Sequence, residues 1–390
     1  MIHPQPDIPH IVFLFSDTGG GHRSATEAII EAINTFYPRS VSTDMVDIFR
    51  EYFPSPLNMA PEIYPPLTRM PNVWRWGYRA SDGKHRTEIL DQAFWPYIRR
   101  SIYRLLEENP CDLLVSVHPL INAPMVRGLR RFDCPYITVV TDMVSTHAAW
   151  YNTKADMVIV PTELARQTAL INGIEPEQVK VIGLPVAQRF CQPQGNKDEL
   201  KQAQGWPVDR PAILLVGGGE GMGPLEEVAR SINDAHLPAS LMVITGRNRA
   251  LKNHLENLSW NMPTFVYGFV HNMPDMMRAA DVIITKAGPG TISEAFIAGL
   301  PIILYSRLPG QEEGNVAYVV DKGAGVWAPH ASNVVETLKK WIYEPNEMQK
   351  TAAISLSLAR PDAARDIAKI LIEKAIARKP QETKTIHVIE

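Results

Sequence analysis

The chain has 390 residues, of which 45% are hydrophobic and 21% charged, and its formal net charge is −3. This length exceeds one simple core and predicts two domains, and the composition excludes the disordered and fibrous classes. The near-neutral charge carries no whole-chain signal for nucleic acid, and no apolar run reaches the roughly 18 residues of a spanning helix.

The opening MIHPQPDIPH lacks a basic region followed by an apolar run, so no signal peptide is visible. Cys111, Cys134 and Cys191 are far apart in sequence and lack metal-ligand spacing. They predict a reducing, cytoplasmic compartment and no disulfide framework. Any meeting with a membrane is then at its surface.

In chain order, Ile11–Phe15 reads as a buried strand, followed by the turn SDTGGGH and a helix from Arg23 to about Phe36. A second strand is expected over Asp44–Ile48. Between Phe53 and Pro96 the periodicity breaks down. Prolines, aromatics (Tyr64, Trp74, Trp76, Tyr78, Phe94, Trp95) and basic residues (Arg75, Arg79, Lys84, Arg86) crowd this stretch. Such an insertion fits an interfacial surface, with rings at the headgroup level and cations against anionic lipid. It equally fits a cap whose aromatics fill a small core of its own.

Regular alternation resumes with a helix over Tyr97–Glu108, a strand over Asp112–Val117, a helix over Asn122–Arg131 and a strand over Tyr136–Thr141. Met157–Val160, Glu163–Asn172 and Val179–Ile182 read as strand, helix and strand. The order predicts a doubly wound parallel sheet. Gly183–Pro207 reads as the interdomain linker with its flanks. A second alternating unit begins with strand Ala212–Val216, turn GGGEGMG and a helix from Pro224 to about Asp234. Strands follow at Leu241–Thr245 and Thr264–Tyr267, with a helix over Pro274–Ala280. The expected organisation is a first domain over 1–190, a second over 191–345, and C-terminal helices over 346–390 packing back toward the first.

The run from Asp281 to Asn315 carries the most chemistry. A short strand over Asp281–Thr285 meets the turn Gly288-Pro289-Gly290, and a helix follows over Thr291–Ala298. The first amides of such a helix lack internal partners and sit at the positive end of its dipole, so Gly288 and Gly290 let an anion approach closely. Thr291 adds a hydroxyl, and the Glu294 carboxylate can accept bonds from a pair of ribose hydroxyls. Beyond the next strand, Gln311 and Glu312 offer an amide and a carboxylate suited to a sugar. The stretch reads as a site for a diphosphate with a sugar at both ends. The plain alternative is a βα turn followed by a solvated helix. None of the glycine turns ends in Gly-Lys-Ser/Thr, and none has a dinucleotide GxGxxG with its acidic partner, which sets aside triphosphate hydrolysis and hydride transfer.

SDTGGGHRSATEAI, SVHPL, TVVTDM, GGGEGMGP, ITKAGPGTISEA and GQEEGNV, in this order from about Ile11 to Trp341, resemble the diacylglycerol glycosyltransferases of the monogalactosyldiacylglycerol synthase type. The same relationship takes in the enzyme that adds N-acetylglucosamine to lipid I. HRSATEA stands where the plant-type pattern has HRASAEA, a slight departure. The resemblance implies a GT-B fold, two Rossmann-like domains facing across a cleft, and inversion at the anomeric carbon. It also implies no cofactor and no metal, the UDP-sugar being a substrate.

By the same resemblance, Gly217, Gly218 and Gly219 and the Gly288–Thr291 turn approach the diphosphate. Glu294 holds the ribose, Gln311 and Glu312 the hexose, and Phe269 and Val270 lie along the uracil, while Glu220, Arg247 and Asn315 are counted with this donor side. His22 is the candidate base, at a helix N-terminus whose dipole favours the neutral imidazole. Asp142 is its rival or its orienting partner. Gly20, Gly21, His147 and Trp150 are placed at the acceptor cleft, and Trp74, Arg75 and Trp76 at the membrane.

The resulting expectation is a cytoplasmic, peripheral membrane enzyme that moves galactose from UDP-galactose to diacylglycerol at an anionic lipid surface, with no oligomeric state implied. UDP-glucose as donor, a polyprenyl-linked acceptor, 2-epimerisation of a UDP-sugar, and nucleotide-sugar binding without turnover are the alternatives.

Overall fold

A computed structural model of the chain describes residues 8–378 other than 19, 69, 194, 220 and 222. The first sheet holds β1 (His10–Phe15), β2 (Ser42–Asp47), β3 (Leu113–Ser116), β4 (Tyr136–Val139), β5 (Met157–Val160) and β6 (Val179–Val181) in the order β2-β1-β3-β4-β5-β6. The second holds β7 (Ala212–Val216), β8 (Ser240–Ile244), β9 (Thr264–Tyr267), β10 (Val282–Lys286), β11 (Ile302–Ser306) and β12 (Gly325–Trp327) in the order β12-β11-β10-β7-β8-β9. Every pairing is parallel. Such strands need both faces covered, which explains why they read as continuous apolar runs.

Alternation along each strand divides the core. Val12 and Leu14 face one side of the first sheet with Ile98, Ile102 and Leu105 of the Lys84–Glu108 helix. Ile11 and Phe13 face the other, where Ala25, Ile29 and Ile33 of the Gly21–Phe36 helix meet Ile367, Leu371 and Ala375 of the Ala363–Arg378 helix. The last helix thus completes the core of the first sheet after the chain has built the second. It ends with Arg378 Nη1 donating to the Cys111 carbonyl at 2.9 Å. The preceding helix, Pro345–Ser357, packs on the second unit against Pro289–Ile297. Where the chain passes between the sheets its two crossings touch. A Cβ on Gly183 would lie 2.7 Å from the Arg360 Cβ.

Several expectations need correction. The stretch from Phe53 to Pro96 is helical: Ala60–Thr68, Pro71–Ser81 and the front of Lys84–Glu108, which runs through Pro96 without stopping. The linker region contains the helix Lys197–Ala203, capped by Asn196. Pro289 and Gly290 form the first turn of their helix, with Gly288 as its cap. Cys111 and Cys134, distant in sequence, bring their sulfurs to 3.5 Å as free thiols.

Leu371 is fully buried. Leu371→Ala is expected to destabilise the fold by about 3 kcal/mol, the usual range for emptying a leucine site. Urea unfolding followed by tryptophan fluorescence checks this, and an unchanged midpoint would detach this helix from the core.

Candidate active site

Each sheet has one place where chain order reverses: between β2 and β3 around β1 in the first, and between β8 and β10 around β7 in the second. Loops leaving adjacent strands diverge there and leave a crevice at the strands' carboxyl ends. The glycine turns follow β1, β7 and β10, so the topology brings all three to the two crevices.

On the second wall, Gly218, Gly219, Phe269, Val270, Thr291 and Glu294 line one cavity of about 170 Å³. Gly217 does not join them. A Cβ there would lie 2.2 Å from Leu225 Cδ1, so its smallness serves the packing of the loop. Phe269 is 50% exposed, a flat ring with the Arg247 guanidinium 5.0 Å above it. Burial pushes the Glu294 carboxyl up to about 7, against an opposing pull from Arg189. Both of its protonation states are therefore accessible near neutrality.

The Pro289–Ile297 helix starts cleanly. Proline at its first position has no N–H to lose, and Ile292 N–H makes the first internal bond, to the Gly288 carbonyl at 3.1 Å. The amides of Gly290 and Thr291 have no partner within the helix. Gly290 faces open space where a side chain would stand. Glu220 lies outside the described residues, as do Gly19 and Met222 of the other motifs.

Lys286, which sequence reasoning missed, ends β10 between the two glycine turns. Its Nζ would stand 2.9 Å from a Cβ on Gly288, and its Cε 3.2 Å from one on Gly218. That ammonium donates to Glu312 Oε1 at 2.8 Å, and Glu312 Oε2 accepts the Leu308 N–H at 2.7 Å. Glu312, expected at the hexose, is buried and has both oxygens bonded to protein partners. Its neighbours keep free acceptors. Gln311 Oε1 and Asn315 Oδ1 are buried without a hydrogen bond, while their amide nitrogens donate to Asp142 and to the Ala287 carbonyl. An unfilled buried acceptor is costly unless a ligand hydroxyl or a water completes it.

On the first wall, Gly20 takes a φ of 78° as the cap of the first helix, a conformation that favours glycine. Gly21 opens the helix with nothing near its missing side chain. His22 follows, its Nδ1 2.8 Å from Thr141 Oγ1. Its ring packs edge-on against His118 at 4.7 Å and near Trp150 at 5.9 Å. Burial lowers its pKa to about 4, with a bond to the Val117 backbone working the other way. The imidazole is thus neutral near pH 7, chiefly through desolvation rather than the dipole argument.

No hydrogen bond joins Asp142 to His22. Asp142 instead accepts the Trp150 indole N–H at 2.7 Å and the Gln311 amide at 3.1 Å, which ties the two walls together. Burial still pushes its carboxyl up to about 6. Thr141 orients the imidazole. Trp150 is fully enclosed and holds the site together, whereas His147, buried with Nε2 3.1 Å from Ser81 Oγ, lines a neighbouring groove with Phe49 and Leu120.

The insertion lies over this cleft. Tyr78 Oη donates to the Ser145 carbonyl at 3.3 Å, and the Tyr78 ring would meet a side chain at Gly310, so this helix touches both units. Burial and the carboxylates of Asp142 and Glu312 raise the Tyr64 hydroxyl above its ordinary pKa. Trp74, expected at the membrane, turns inward onto the Tyr64 ring at 5.3 Å. Trp76 is 75% exposed and Arg75 is exposed, and Met70 and Val73 lie open beside them. The aromatics therefore divide between the two readings of this stretch. Among the described residues, no three His, Cys, Asp or Glu side chains gather to hold a metal ion.

Comparison with known proteins follows the same division. Residues 22–186 match the monogalactosyldiacylglycerol (MGDG) synthase family, and residues 212–370 the glycosyltransferase family 28 C-terminal domain. A probable monogalactosyldiacylglycerol synthase 2 of Oryza sativa subsp. japonica is 36% identical over 374 residues, covering 92% of this chain and 79% of its own. The Spinacia oleracea monogalactosyldiacylglycerol synthase is 36% identical over 392 residues, covering 96% and 75%. Among solved structures, Acinetobacter baumannii MurG superposes with a TM-score of 0.63 at 15% identity, over 94% of this chain and 99% of its own. Anabaena HepE in complex with UDP-glucose superposes at 0.56 and 13% identity, over 95% and 99%. The structural likenesses assign the fold, which is GT-B. Sequence identity sustained along nearly the whole chain assigns the rest: this chain belongs to the monogalactosyldiacylglycerol synthase family.

Proposed function

We propose that the chain transfers galactose from UDP-galactose to the sn-3 hydroxyl of 1,2-diacylglycerol, with inversion, at a lipid surface. The observation that carries this reading is a neutral imidazole on the first wall together with a helix start of unpaired amides after β10 on the second, in a chain whose relatives are named for this reaction.

His22 accepts the proton of the acceptor hydroxyl as its oxygen bonds to the anomeric carbon and the bond to the UDP oxygen breaks. A base of such low proton affinity acts late, once the attacking oxygen has become acidic by bonding to carbon. Negative charge then builds on the departing diphosphate. The amides of Gly290 and Thr291, the turn at Gly218-Gly219 and the Lys286 ammonium, which Glu312 holds, meet it. Phe269 and Val270 take the base, Glu294 the ribose, and the open acceptors of Gln311 and Asn315 the sugar hydroxyls. No helix among the described residues is long and apolar enough to cross a membrane. Contact with lipid falls to the exposed Met70, Val73 and Trp76 face.

The decisive experiment incubates the protein with radiolabelled UDP-galactose or UDP-glucose and dioleoylglycerol in vesicles, and identifies the lipid product by mass spectrometry. Monogalactosyldiacylglycerol is expected. A glucolipid would reassign the donor, and no glycolipid would remove the transferase reading.

His22→Ala should lower kcat by roughly 10³-fold, within the range for a general base, while UDP binds within about twofold of the unaltered protein. In the free protein the His22 ring resonances, assigned by their loss in that variant, should titrate with a midpoint near 4. A midpoint between about 6 and 7 would mean that burial does not set its charge.

Trp76→Ala should weaken vesicle association roughly tenfold in liposome sedimentation, by withdrawing an aromatic ring from the interface. Trp74→Phe, which keeps the inward ring, should leave association unchanged. Equal losses in both variants would contradict the division of the two faces.

A further inference from the structure

Beside the candidate base lies a groove that the reaction described so far does not use. It holds about 220 Å³ and is walled by Phe49, Phe53, Leu57, Leu90, Phe94 and Leu120. Most of its few polar wall groups are already engaged. Ser81 and His147 are bonded to each other at 3.1 Å, and Thr87 donates to the Gly83 carbonyl at 3.0 Å. Asp91 Oδ2 pairs with Arg127 at 3.5 Å while its Oδ1 is buried without a hydrogen bond, and the residue is shared with a basic basin behind the wall. The groove therefore offers hydrocarbon contact and little to a peptide, a sugar or an ion.

Its two ends define the occupant. At the inner end the Phe49 ring meets His118 at 5.3 Å, and His118 meets His22 at 4.7 Å, so the wall is two ring contacts from the base. At the outer end the groove opens among exposed apolar residues: Leu90, Phe94, and Leu120 at 57% exposure, with Ile89 and Tyr97 on the same helix as Leu90 and Phe94. Leu120 lies in the single turn Pro119–Ile121 that directly follows His118. An apolar groove running from an exposed apolar rim to within two ring contacts of the base fits one flexible hydrocarbon chain of a molecule whose hydroxyl sits at that base.

We propose that this groove is the acyl-chain subsite of the acceptor. One fatty acyl chain of diacylglycerol lies along Phe53, Leu90, Phe94 and Leu120, so that burying its methylenes helps hold the glycerol hydroxyl at His22. The inference rests on the acceptor being a diacylglycerol. It makes the first domain's helices, rather than the bilayer alone, responsible for drawing the substrate's reactive end to the site.

Leu90→Trp and Leu120→Trp place bulk in the groove from exposed positions and leave the core intact. The ratio of kcat/KM for dioleoylglycerol to that for dihexanoylglycerol, in mixed micelles, should fall by at least about fivefold, because each excluded methylene loses its burial. An unchanged ratio in both variants would overturn the proposal. A second readout does not need turnover. Diacylglycerol carrying a diazirine at mid-chain is photolysed with the unaltered protein, and the adducts are mapped by peptide mass spectrometry. Adducts on residues 84–108 and 119–129 are expected. Adducts confined to residues 71–81, or none, would overturn the groove. Groove adducts without any galactolipid product would sink the transferase reading and leave the lipid subsite standing. Galactolipid product without groove adducts would do the reverse.

Discussion

Parallel pairing is the constraint from which this molecule's chemistry follows. When every strand in a sheet runs the same way, all the strand ends that feed helices lie along one edge, and every helix start with unpaired amides lies there too. Two such edges turned toward each other make a cleft whose walls already carry partial positive charge. The glycine turns after β1, β7 and β10 stand where each sheet reverses its strand order, the places least filled by backbone. Lys286 adds a full charge at the same point, held by Glu312, a carboxylate buried too deeply to be left uncompensated.

Asp142 shows how the two walls are held in register. It is a buried acid with one oxygen on an indole from its own unit and the other on an amide from across the cleft. Gly314 N–H adds a bond to Ser145 Oγ at 2.8 Å nearby. The insertion completes the enclosure. Its inward residues, Tyr64, Trp74 and Tyr78, pack over these contacts, while Met70, Val73 and Trp76 face outward. One short stretch of helix therefore covers the cleft with one face and presents apolar surface with the other.

Much of this was legible in the order of residues. Apolar runs marked the strands because buried parallel strands need no polar face, and glycine after a strand marked the turns. The insertion was illegible for a physical reason: its prolines read as breaks. Pro71 instead opens a helix, and Pro96 sits inside one that is held by buried Ile98, Ile102 and Leu105 on its far side. Asp142 carries the charge that sequence reasoning notices, but it is the Thr141 hydroxyl beside it that reaches the imidazole. Lys286 ends a strand and carries no motif of its own, and only the folded chain shows a second glycine turn closing in on its side chain. Gly217 has a second reason to be glycine that its motif does not reveal, the room it makes for Leu225.

The close approach of Gly183 to Arg360 has a consequence for how the cleft opens. The polypeptide passes from one unit to the other and later returns, and these two passages lie against each other instead of at separate corners. A pair of adjacent tethers permits swinging about their common line and resists sliding or twisting. Sugar nucleotide would enter and leave by a clamshell movement with its pivot at Gly183 and Arg360. Displacement would then grow with distance from that pivot, while the tethered edge barely shifts.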